Sequence, residues 1–468
     1  MFIKIKSLLK NKWLVLIFII AVVLRLVFLY ASYAHYGNNL LQNIALDDYY
    51  RSAIYFAKGL DLPHYDEDTN IYSDDGFRAP GYSLLMAPFI ASNSIGLFLF
   101  IQVLASSIIP ILSYFLSLKL FPQNKKLAYG VGTVLALEPL SILLSIQLVT
   151  ETLFTILFLI VFIKLLDYGE QKSTSFWQLA LLGLFIGLAT LVRPITIYLP
   201  YAFCAFALWK KITKNLSLKT FIVQVFIVAS IFYITILPWI YRNYKTFGVW
   251  GFTSARSGLG VVVWAPSIIS LGKNITYAEA QTELFKEITP DGSQPYIDIT
   301  KEKEYNRILW QTIKEHPKGF LLSVLGGVFQ FWTHDNYITV VQFLGYLTDY
   351  ETLKLPTPPL FTMLTHPKLS YLPHIVSYLA SPAIIIVLSR LLWIAAAVLA
   401  LGGVIKYVVK NKLDAKILLI LLVVVYFSIA AATMGIGLTG RVRQPINSLV
   451  LIMAGYALLR IKKHVTTV

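Results

Sequence analysis

The sequence is poor in charged residues and in cysteine. Asp, Glu, Lys and Arg make up 14% of its 468 residues, whereas soluble domains carry about 25%. Hydrophobic residues make up 57% and the mean hydropathy is +0.68. These values exclude a water-soluble enzyme and a disordered chain. The single cysteine, Cys204, excludes an intrachain disulfide and a zinc site built from thiolates.

Nucleotide-binding and metal-binding motifs are missing as well. There is no Walker-type phosphate loop, and the glycines of SGLGVVVW follow no predicted strand. The seven histidines show no H-x-x-x-H or similar ligand spacing. His64 lies in an acidic stretch, 61–68, which is more typical of a solvated loop than of a divalent-cation site. A reaction carried out by this chain therefore draws on a substrate outside the cytoplasmic nucleotide pool.

Long apolar runs are abundant. A membrane-spanning helix needs roughly 20 mainly apolar residues. About ten stretches fit, and they lie at 12–33, 95–118, 127–146, 149–166, 176–192, 195–209, 219–240, 382–405, 415–433 and 446–460. We therefore predict an all-α polytopic membrane protein with about ten transmembrane helices, added juxtamembrane helices and a mixed extracytoplasmic segment.

The basic residues are distributed unevenly about these spans. Lys4, Lys6 and Lys10 precede the first span and place the amino terminus in the cytoplasm. Ten spans then put 20 of the 40 Lys and Arg in cytoplasmic segments, with three of the 24 Asp and Glu. The net charge of +16 is thus explained without a nucleic-acid partner. We predict a multi-pass protein of the plasma (inner) membrane with both termini in the cytoplasm.

This topology divides the chain into three segments. Residues 1–240 form an amino-terminal module of about seven spans, whose first extracytoplasmic loop is 34–94. Residues 241–381 form an extracytoplasmic segment, and 382–468 form a carboxyl-terminal module of about three spans. In the middle segment, 276–316 has helix-like periodicity. Residues 319–332 are too short to span comfortably, so we expect them in the interface or packed on the helices.

Acidic residues at the outer boundary are the first candidates. The stretch ALDDYYRSAIYFAKG, 45–59, fits a short amphipathic helix with Asp47 and Asp48 in its first turn and Gly59 at its end. These carboxylates act in chemistry or complement the helix dipole. Glu151 enters an apolar span, where a carboxylate is costly unless it is paired or lines a cavity. Its alternative role is to mark the membrane boundary.

Basic and aromatic residues recur at the same boundary. The positive-inside tendency disfavours arginine there, so a set of arginines on the outer face requires an anion. Phosphate suits guanidinium groups because they bind its oxygens in a bidentate manner. Singly, each arginine is more typical of a lipid-headgroup contact. The candidates are Arg78 and Tyr82 in RAPGY, Arg193 in LVRP, Arg242 in PWIYRNY, and Arg441 with Arg443 in RVRQP.

In order and spacing, these motifs resemble bacterial GT-C glycosyltransferases. More narrowly, they resemble the branch of the protein O-mannosyltransferases and the aminoarabinose transferase of lipid A. The resemblance covers about 12–460, and no single motif is specific. It implies an inverting enzyme that moves a monosaccharide from a polyprenyl-phosphate donor, on the extracytoplasmic face, to a glycan, lipid or protein acceptor among the membrane lipids.

The resemblance also implies roles for the candidates. Asp47 or Asp48 acts as the general base, and Glu151 orients the acceptor or the sugar. Arg78 faces the donor phosphate, and Arg441 with Arg443 matches a basic pair near the last outer loop. Some relatives use a divalent cation. The helix of the first loop lacks a D-x-D motif, which favours a reaction without a metal, so no cofactor is assigned and a divalent cation stays the alternative.

Other classes remain open. A secondary transporter fits ten spans, but transporters place ionisable groups near the midplane on broken helices. A polymerase or ligase of cell-surface polysaccharide also uses polyprenyl-linked donors and outer arginines, but it does not need the carboxylate-bearing helix after the first span. A receptor or scaffold that binds a partner through 241–381 leaves the charged set unexplained.

Overall fold

The structure is a computed structural model. It describes residues 11–45, 47–59, 64–66, 71–73, 76–345, 368–371, 373, 376, 384–433 and 439–459. Within these ranges nearly all regular structure is helical. Two short strands, β1 (His64–Asp66) and β2 (Ile71–Ser73), pair antiparallel with Tyr65 opposite Tyr72.

The amino-terminal half contains apolar helices joined by short connections. They are α1 (Lys12–Tyr36), α2 (Leu40–Ile44), α3 (Tyr49–Lys58), α4 (Gly81–Ala91), α5 (Ile95–Leu120), α6 (Lys125–Leu137), α7 (Pro139–Ile146), α8 (Glu151–Glu170), α9 (Phe176–Val192), α10 (Leu199–Lys214) and α11 (Leu218–Phe247). Single 3-10 turns occupy Gly37–Asn39 and Pro194–Tyr198. The second follows the Arg193–Pro194 pair and separates α9 from α10.

Most of the remaining helices are shorter, and the two longest lie in the apolar segments near the end of the chain. They are α12 (Ala255–Leu259), which continues through a π-helical turn at Gly260–Trp264, α13 (Ala265–Lys273), α14 (Tyr277–Ile288), α15 (Glu302–Glu315), α16 (Pro317–Thr333), α17 (Tyr337–Phe343), α18 (Ile384–Asn411), α19 (Ala415–Ala432), α20 (Thr439–Arg443) and α21 (Asn447–Leu458). Three-residue 3-10 turns lie at Ile299–Lys301, Leu369–Tyr371 and Gln444–Ile446.

Each of the ten apolar stretches is mainly helical where the structure describes it, which confirms the all-α polytopic class. Among the described residues, six helices are long and apolar enough to cross a membrane, or up to eight if each of two bent pairs is one span. The stretch 127–146 is one such pair, α6 and α7, bent by 53°. Helices α9, α10 and α21 are shorter, with 17, 16 and 12 residues. The described helices therefore fall short of ten full-length spans.

The middle segment is helical where periodicity predicted it. Stretch 276–316 contains α14 and α15, and α14 begins with a capping box of Thr276 and Glu279. The stretch 319–332 lies in α16, which packs on α19. A Cβ atom added at Gly327 would come within 2.8 Å of the Ala432 backbone. The small residue thus allows the close helix approach that is typical of membrane proteins.

Helix α8 lies in the centre of the helical assembly. Phe154, Phe158 and Phe162 recur every four residues along one face and are at most 1% exposed. The Phe158 ring meets the Phe427 ring of α19 edge to face at 5.0 Å. Large buried aromatic rings fix the helix in place. Glu151, the first residue of α8, is therefore held at the end of a rigid central element.

Candidate active site

Glu151 is fully buried at the start of α8. Its Oε1 atom accepts a hydrogen bond from Arg441 Nε at 2.9 Å, and it lies 3.3 Å from Arg193 Nη1. Arg193 follows the last residue of α9 and Arg441 lies in α20, so three helices meet at this carboxylate. Two guanidinium groups stabilise an ionised carboxylate that would otherwise be costly in an apolar environment.

Asp47 joins this group through Arg441. The Oδ2 atom of Asp47 accepts a hydrogen bond from Arg441 Nη2 at 2.5 Å. Arg441 therefore bridges two carboxylates that belong to separate parts of the chain. We call Asp47, Glu151, Arg193 and Arg441 the ion-pair group.

An unusual backbone turn carries Asp47 to this position. Asp47 and Asp48 both have left-handed conformations, with φ values of 64° and 60°. Such conformations cost energy in residues other than glycine, although aspartate tolerates them better than most. The prediction that both residues lie in the first turn of the helix is wrong, because α3 begins at Tyr49 and Asp48 is its N-cap. Gly59 ends α3 as predicted, with a φ of 65°.

Electrostatics keep Asp47 ionised. Burial opposes ionisation, but the charges of Arg441, Arg78 and Arg193 outweigh it and lower the pKa of the Asp47 carboxyl to about 2. Burial likewise opposes the charge of Arg441, yet Glu151 and Asp47 raise the pKa of its guanidinium well above the ordinary value. Arg441 and Asp47 thus form a tight pair of opposite charges.

Arg78 flanks the ion-pair group. Its guanidinium lies 5.6 Å from the centroid of the Tyr49 ring and 4.5 Å from that of Phe77. Within the described part of the chain, three buried atoms of these residues have no hydrogen-bond partner: Arg78 Nε, Arg193 Nη1 and Glu151 Oε2. Arg78 and the ion-pair group together carry three positive and two negative charges. This excess of positive charge attracts an anion.

Tyr82 lies behind the group. It is 1% exposed, and its hydroxyl donates to Gln102 Oε1 at 2.6 Å. Its ring meets the Tyr49 ring edge to face at 5.7 Å. The structure therefore places Tyr82 where it supports Tyr49 and, through it, the position of Arg78.

Arg242 and Arg443 make other contacts. Arg242 lies 4.8 Å from the centroid of the Trp239 ring and donates to Asn243. Arg443 is 1% exposed, stacks 4.0 Å from the Trp393 ring, and donates to the carbonyl oxygens of Phe331 and His334 at 2.6 and 2.8 Å.

The expected pairing of Arg441 with Arg443 therefore does not form one site. Residues two apart on a helix point in different directions. Arg441 turns toward Glu151, and Arg443 turns away to hold α16 through its backbone carbonyl groups. Their spacing on α20 explains why only one of them reaches the ion-pair group.

A buried arginine in the first span was not singled out from the sequence. Arg25 of α1 is 0% exposed and donates to Ser106, to Ser141 and to the carbonyl oxygen of Ala136. Ala136 precedes the bend between α6 and α7, where that carbonyl lacks a helical partner. The sequence does carry a signal for this role, because an arginine inside an apolar run needs polar partners within the protein. Arg25 stabilises the bend that leads the chain to α8.

The described residues contain no group of three or more His, Cys, Asp or Glu side chains that could hold a metal ion. Most of the acidic stretch at 61–68 lies outside the described residues. Independence from metal remains a prediction.

Residues 80–241 match the model of the dolichyl-phosphate-mannose-protein mannosyltransferase family. A domain of this GT-C family is present there. No curated protein matches the chain. The mannosyltransferase-family domain contains Glu151 and Arg193, whereas Asp47 and Arg441 lie outside its two ends. Its presence confirms the resemblance to GT-C glycosyltransferases and implies a membrane glycosyltransferase of this type.

Proposed function

We propose that the protein is an inverting glycosyltransferase that moves a monosaccharide from a polyprenyl-phosphate donor to an acceptor on the extracytoplasmic face. The observation that carries the proposal is the ion-pair group. It joins two carboxylates and two guanidinium groups from distant segments at the start of one central helix. The mannosyltransferase-family domain at 80–241 supports the same class of reaction.

The arginines suit a phosphate leaving group. Displacement at an anomeric carbon releases polyprenyl phosphate, so negative charge develops on the departing oxygen. Guanidinium groups fixed in a buried setting stabilise such charge, and each donor contributes about 3 kcal/mol to barrier lowering. Arg441, Arg193 and Arg78 are the residues we assign to this role. The unused Nε of Arg78 is available to a phosphate oxygen.

Asp47 is the general base that we favour, and its base strength depends on the donor. A carboxylate with a pKa near 2 is a weak base at neutral pH. A donor phosphate competes with Asp47 for the guanidinium of Arg441. Once Arg441 turns to the phosphate, the pKa of Asp47 rises and the carboxylate can accept the proton of the acceptor hydroxyl. Donor binding thus precedes activation of the acceptor.

Glu151 has a positioning role in this scheme. Its Oε1 atom holds Arg441 and Arg193, while Oε2 has no partner among the described residues. That free oxygen is suited to accept a hydrogen bond from a sugar or acceptor hydroxyl. A buried acceptor without a partner is costly, so the enzyme gains affinity when a substrate hydroxyl supplies one.

In this proposal the protein spans the inner membrane. Its active site lies on the extracytoplasmic side, and both of its termini lie in the cytoplasm. Support comes from the lysines at the opposite end of α8, where Lys119 and Lys416 pair with Asp167 and Glu170. Cytoplasmic ends of spans are enriched in lysine and arginine. The polyprenyl chain of the donor lies along apolar helix faces, with its phosphate at the outer surface.

The test is lipid mass spectrometry on a strain that lacks the gene, complemented with wild type, Glu151→Gln or Glu283→Gln. Glu283 forms an exposed ion pair with Lys273 and serves as the matched acidic control. We expect a polyprenyl phosphate bearing one sugar to accumulate without the gene and with Glu151→Gln, but not with the control. Unchanged lipids, with the wild-type protein correctly inserted, would reject the donor assignment and favour a transporter.

A further inference from the structure

A recess opens at the end of α8 opposite Glu151. It is open to the surface, and its volume is about 400 Å³ when the part open to solvent is included. Asp167 lies 16 residues beyond Glu151 on the same helix, which corresponds to about 24 Å along the axis. The recess is therefore separate from the ion-pair group. Its polar lining consists of Lys164, Asp167, Tyr168, Gln171, Thr174 and Gln178.

The carboxylates around this recess already have partners. Asp167 Oδ1 lies 2.5 Å from Lys119 Nζ. Glu170 lies 3.3 Å from Lys119 and 3.3 Å from Lys416 through its two oxygens. The negative charge at this end of α8 is thus balanced by two lysines that do not line the recess.

Two further lysines have no carboxylate partner in the part of the chain that the structure describes. Lys210 is 0% exposed, donates to Thr174 Oγ1 at 3.1 Å and lies 3.7 Å from the centroid of the Tyr168 ring. Lys164 lies over the Phe185 ring at 5.5 Å. Neither ammonium forms an ion pair with a carboxylate within the described ranges. A buried ammonium without a counter-ion is costly, and an anion bound in the recess lowers that cost.

The start of α9 adds to the positive potential. Gln178, in the first turn of this helix, lines the recess, and Ser175 caps the helix by accepting from the Gln178 N–H. The N-terminal end of a helix carries partial positive charge and binds anions, phosphate among them. Phe176 and Trp177 of the same turn are 53% and 73% exposed. Exposed aromatic rings mark the level of the lipid headgroups.

We propose that this recess binds the phosphate of an anionic lipid headgroup from the leaflet opposite the active site. Lys164 contacts the phosphate directly, and Lys210 acts through Thr174, whose hydroxyl it orients toward the ligand. Free phosphate offers the same chemistry. The exposed rings of Phe176 and Trp177 favour a lipid, because they supply apolar contact beside the charged recess.

Native mass spectrometry on the full-length protein in detergent tests the proposal, with phosphatidylglycerol, phosphatidylcholine and inorganic phosphate as probes. The variants are Lys164→Gln and Lys210→Gln, with Lys219→Gln as the control because Lys219 is exposed at the start of α11. We expect the first two to weaken phosphatidylglycerol binding about tenfold, as for the loss of a charge-assisted hydrogen bond. Lys219→Gln and phosphatidylcholine binding should show no such change.

Three outcomes would overturn the proposal. They are equal phosphatidylglycerol binding in wild type and Lys164→Gln, an equal loss in Lys219→Gln, and inorganic phosphate binding as tightly as the lipid. If Lys210→Gln does not fold, Lys164→Gln still decides the question, because its side chain is only partly buried. Lys210→Arg, which keeps the charge, should retain lipid binding.

Discussion

Arg441 and Asp47 are 394 positions apart in the chain, yet Arg441 Nη2 lies 2.5 Å from Asp47 Oδ2. The same guanidinium binds Glu151 through Nε at 2.9 Å. One arginine near the end of the chain therefore orders two carboxylates, one before α3 and one at the start of α8. Substitution of each partner in turn separates what it contributes to catalysis from what it contributes to stability.

The two consecutive aspartates should differ in their effect on catalysis. We expect Asp47→Asn to lower kcat/KM by about 10²-fold to 10⁴-fold, the usual contribution of a general base. Asp48→Asn should have a much smaller effect, because Asp47 is the aspartate that contacts Arg441. The measurement is the initial rate of polyprenyl phosphate release by purified variants of equal thermal stability. Full activity in both variants would remove the general-base assignment.

Loss of the Arg441 guanidinium should reduce stability as well as activity. Arg441→Gln leaves Asp47 without its partner and Glu151 with only Arg193, so we expect a loss of up to about 3 kcal/mol. Thermal unfolding in detergent measures this loss. The double variant Arg441→Gln with Glu151→Gln should recover only part of the lost stability, because Asp47 still lacks its partner, and it should not recover transfer. Recovery of neither would show that the ion pair does not explain the stability loss.

Replacement by lysine tests the geometry of the same contact. Lysine offers a single ammonium and cannot reproduce the planar bridge of a guanidinium. We therefore expect Arg441→Lys to fold better than Arg441→Gln while still transferring sugar poorly. The comparison requires kcat and KM for the donor in both variants. Wild-type kinetics in Arg441→Lys would show that positive charge alone is sufficient.

The Asp47–Arg441 pair should give the protein a specific pH dependence. Folding lowers the pKa of Asp47 from 3.8 to about 2, so the ionised form stabilises the folded state. This contribution, about 2 kcal/mol, is complete above pH 4 and disappears as the pH falls toward 2. Thermal unfolding of wild type and Asp47→Asn should differ above pH 4 and converge near pH 2. A constant difference over this range would contradict the assignment.

Variants of Arg443 and Arg78 should separate effects on protein stability from effects on donor binding. Arg443 donates to two buried carbonyl groups, so Arg443→Gln should lower the melting temperature. Arg78 forms no ion pair among the described residues, so Arg78→Gln should lower stability less than Arg443→Gln does, and it should raise KM for the donor. Unfolding curves and donor titrations of the same preparations distinguish the two effects. If Arg443→Gln were as stable as wild type and had a raised KM for the donor, Arg443 would belong to the donor-binding site.

Local features were predictable from the sequence. Apolar length predicted where helices lie, and Gly59 marked the end of α3 because glycine readily adopts the left-handed conformation. Composition also predicted the membrane class. The number of full-length spans was less predictable, because packing sets where a helix bends or breaks. The bend between α6 and α7 depends on Arg25 of α1, which is distant in sequence.

The candidate site was predictable in its residue types but not in its geometry. Acidic and basic residues at one membrane boundary indicated a site. The assignment of Asp47 and Asp48 to the first turn of α3 was wrong, because two left-handed residues precede that helix. Arg443 was grouped with Arg441 because the two match a basic pair near the last outer loop in the glycosyltransferases that the motifs resemble. Helix geometry sends them in different directions, and only contacts between distant segments show which arginine meets Glu151.

The contact between Arg441 and Glu151 also has a consequence for biosynthesis. A ribosome synthesises Glu151 290 residues before Arg441. Until α20 is made, Arg193, which follows α9, is the ion-pair partner available to this acid. The ion-pair group is complete only after α20 has been synthesised and has packed against the start of α8. A chain that ends before α20 therefore retains a buried acid that is compensated by Arg193 alone, so the last part of the protein to be made is the part that completes its charge balance.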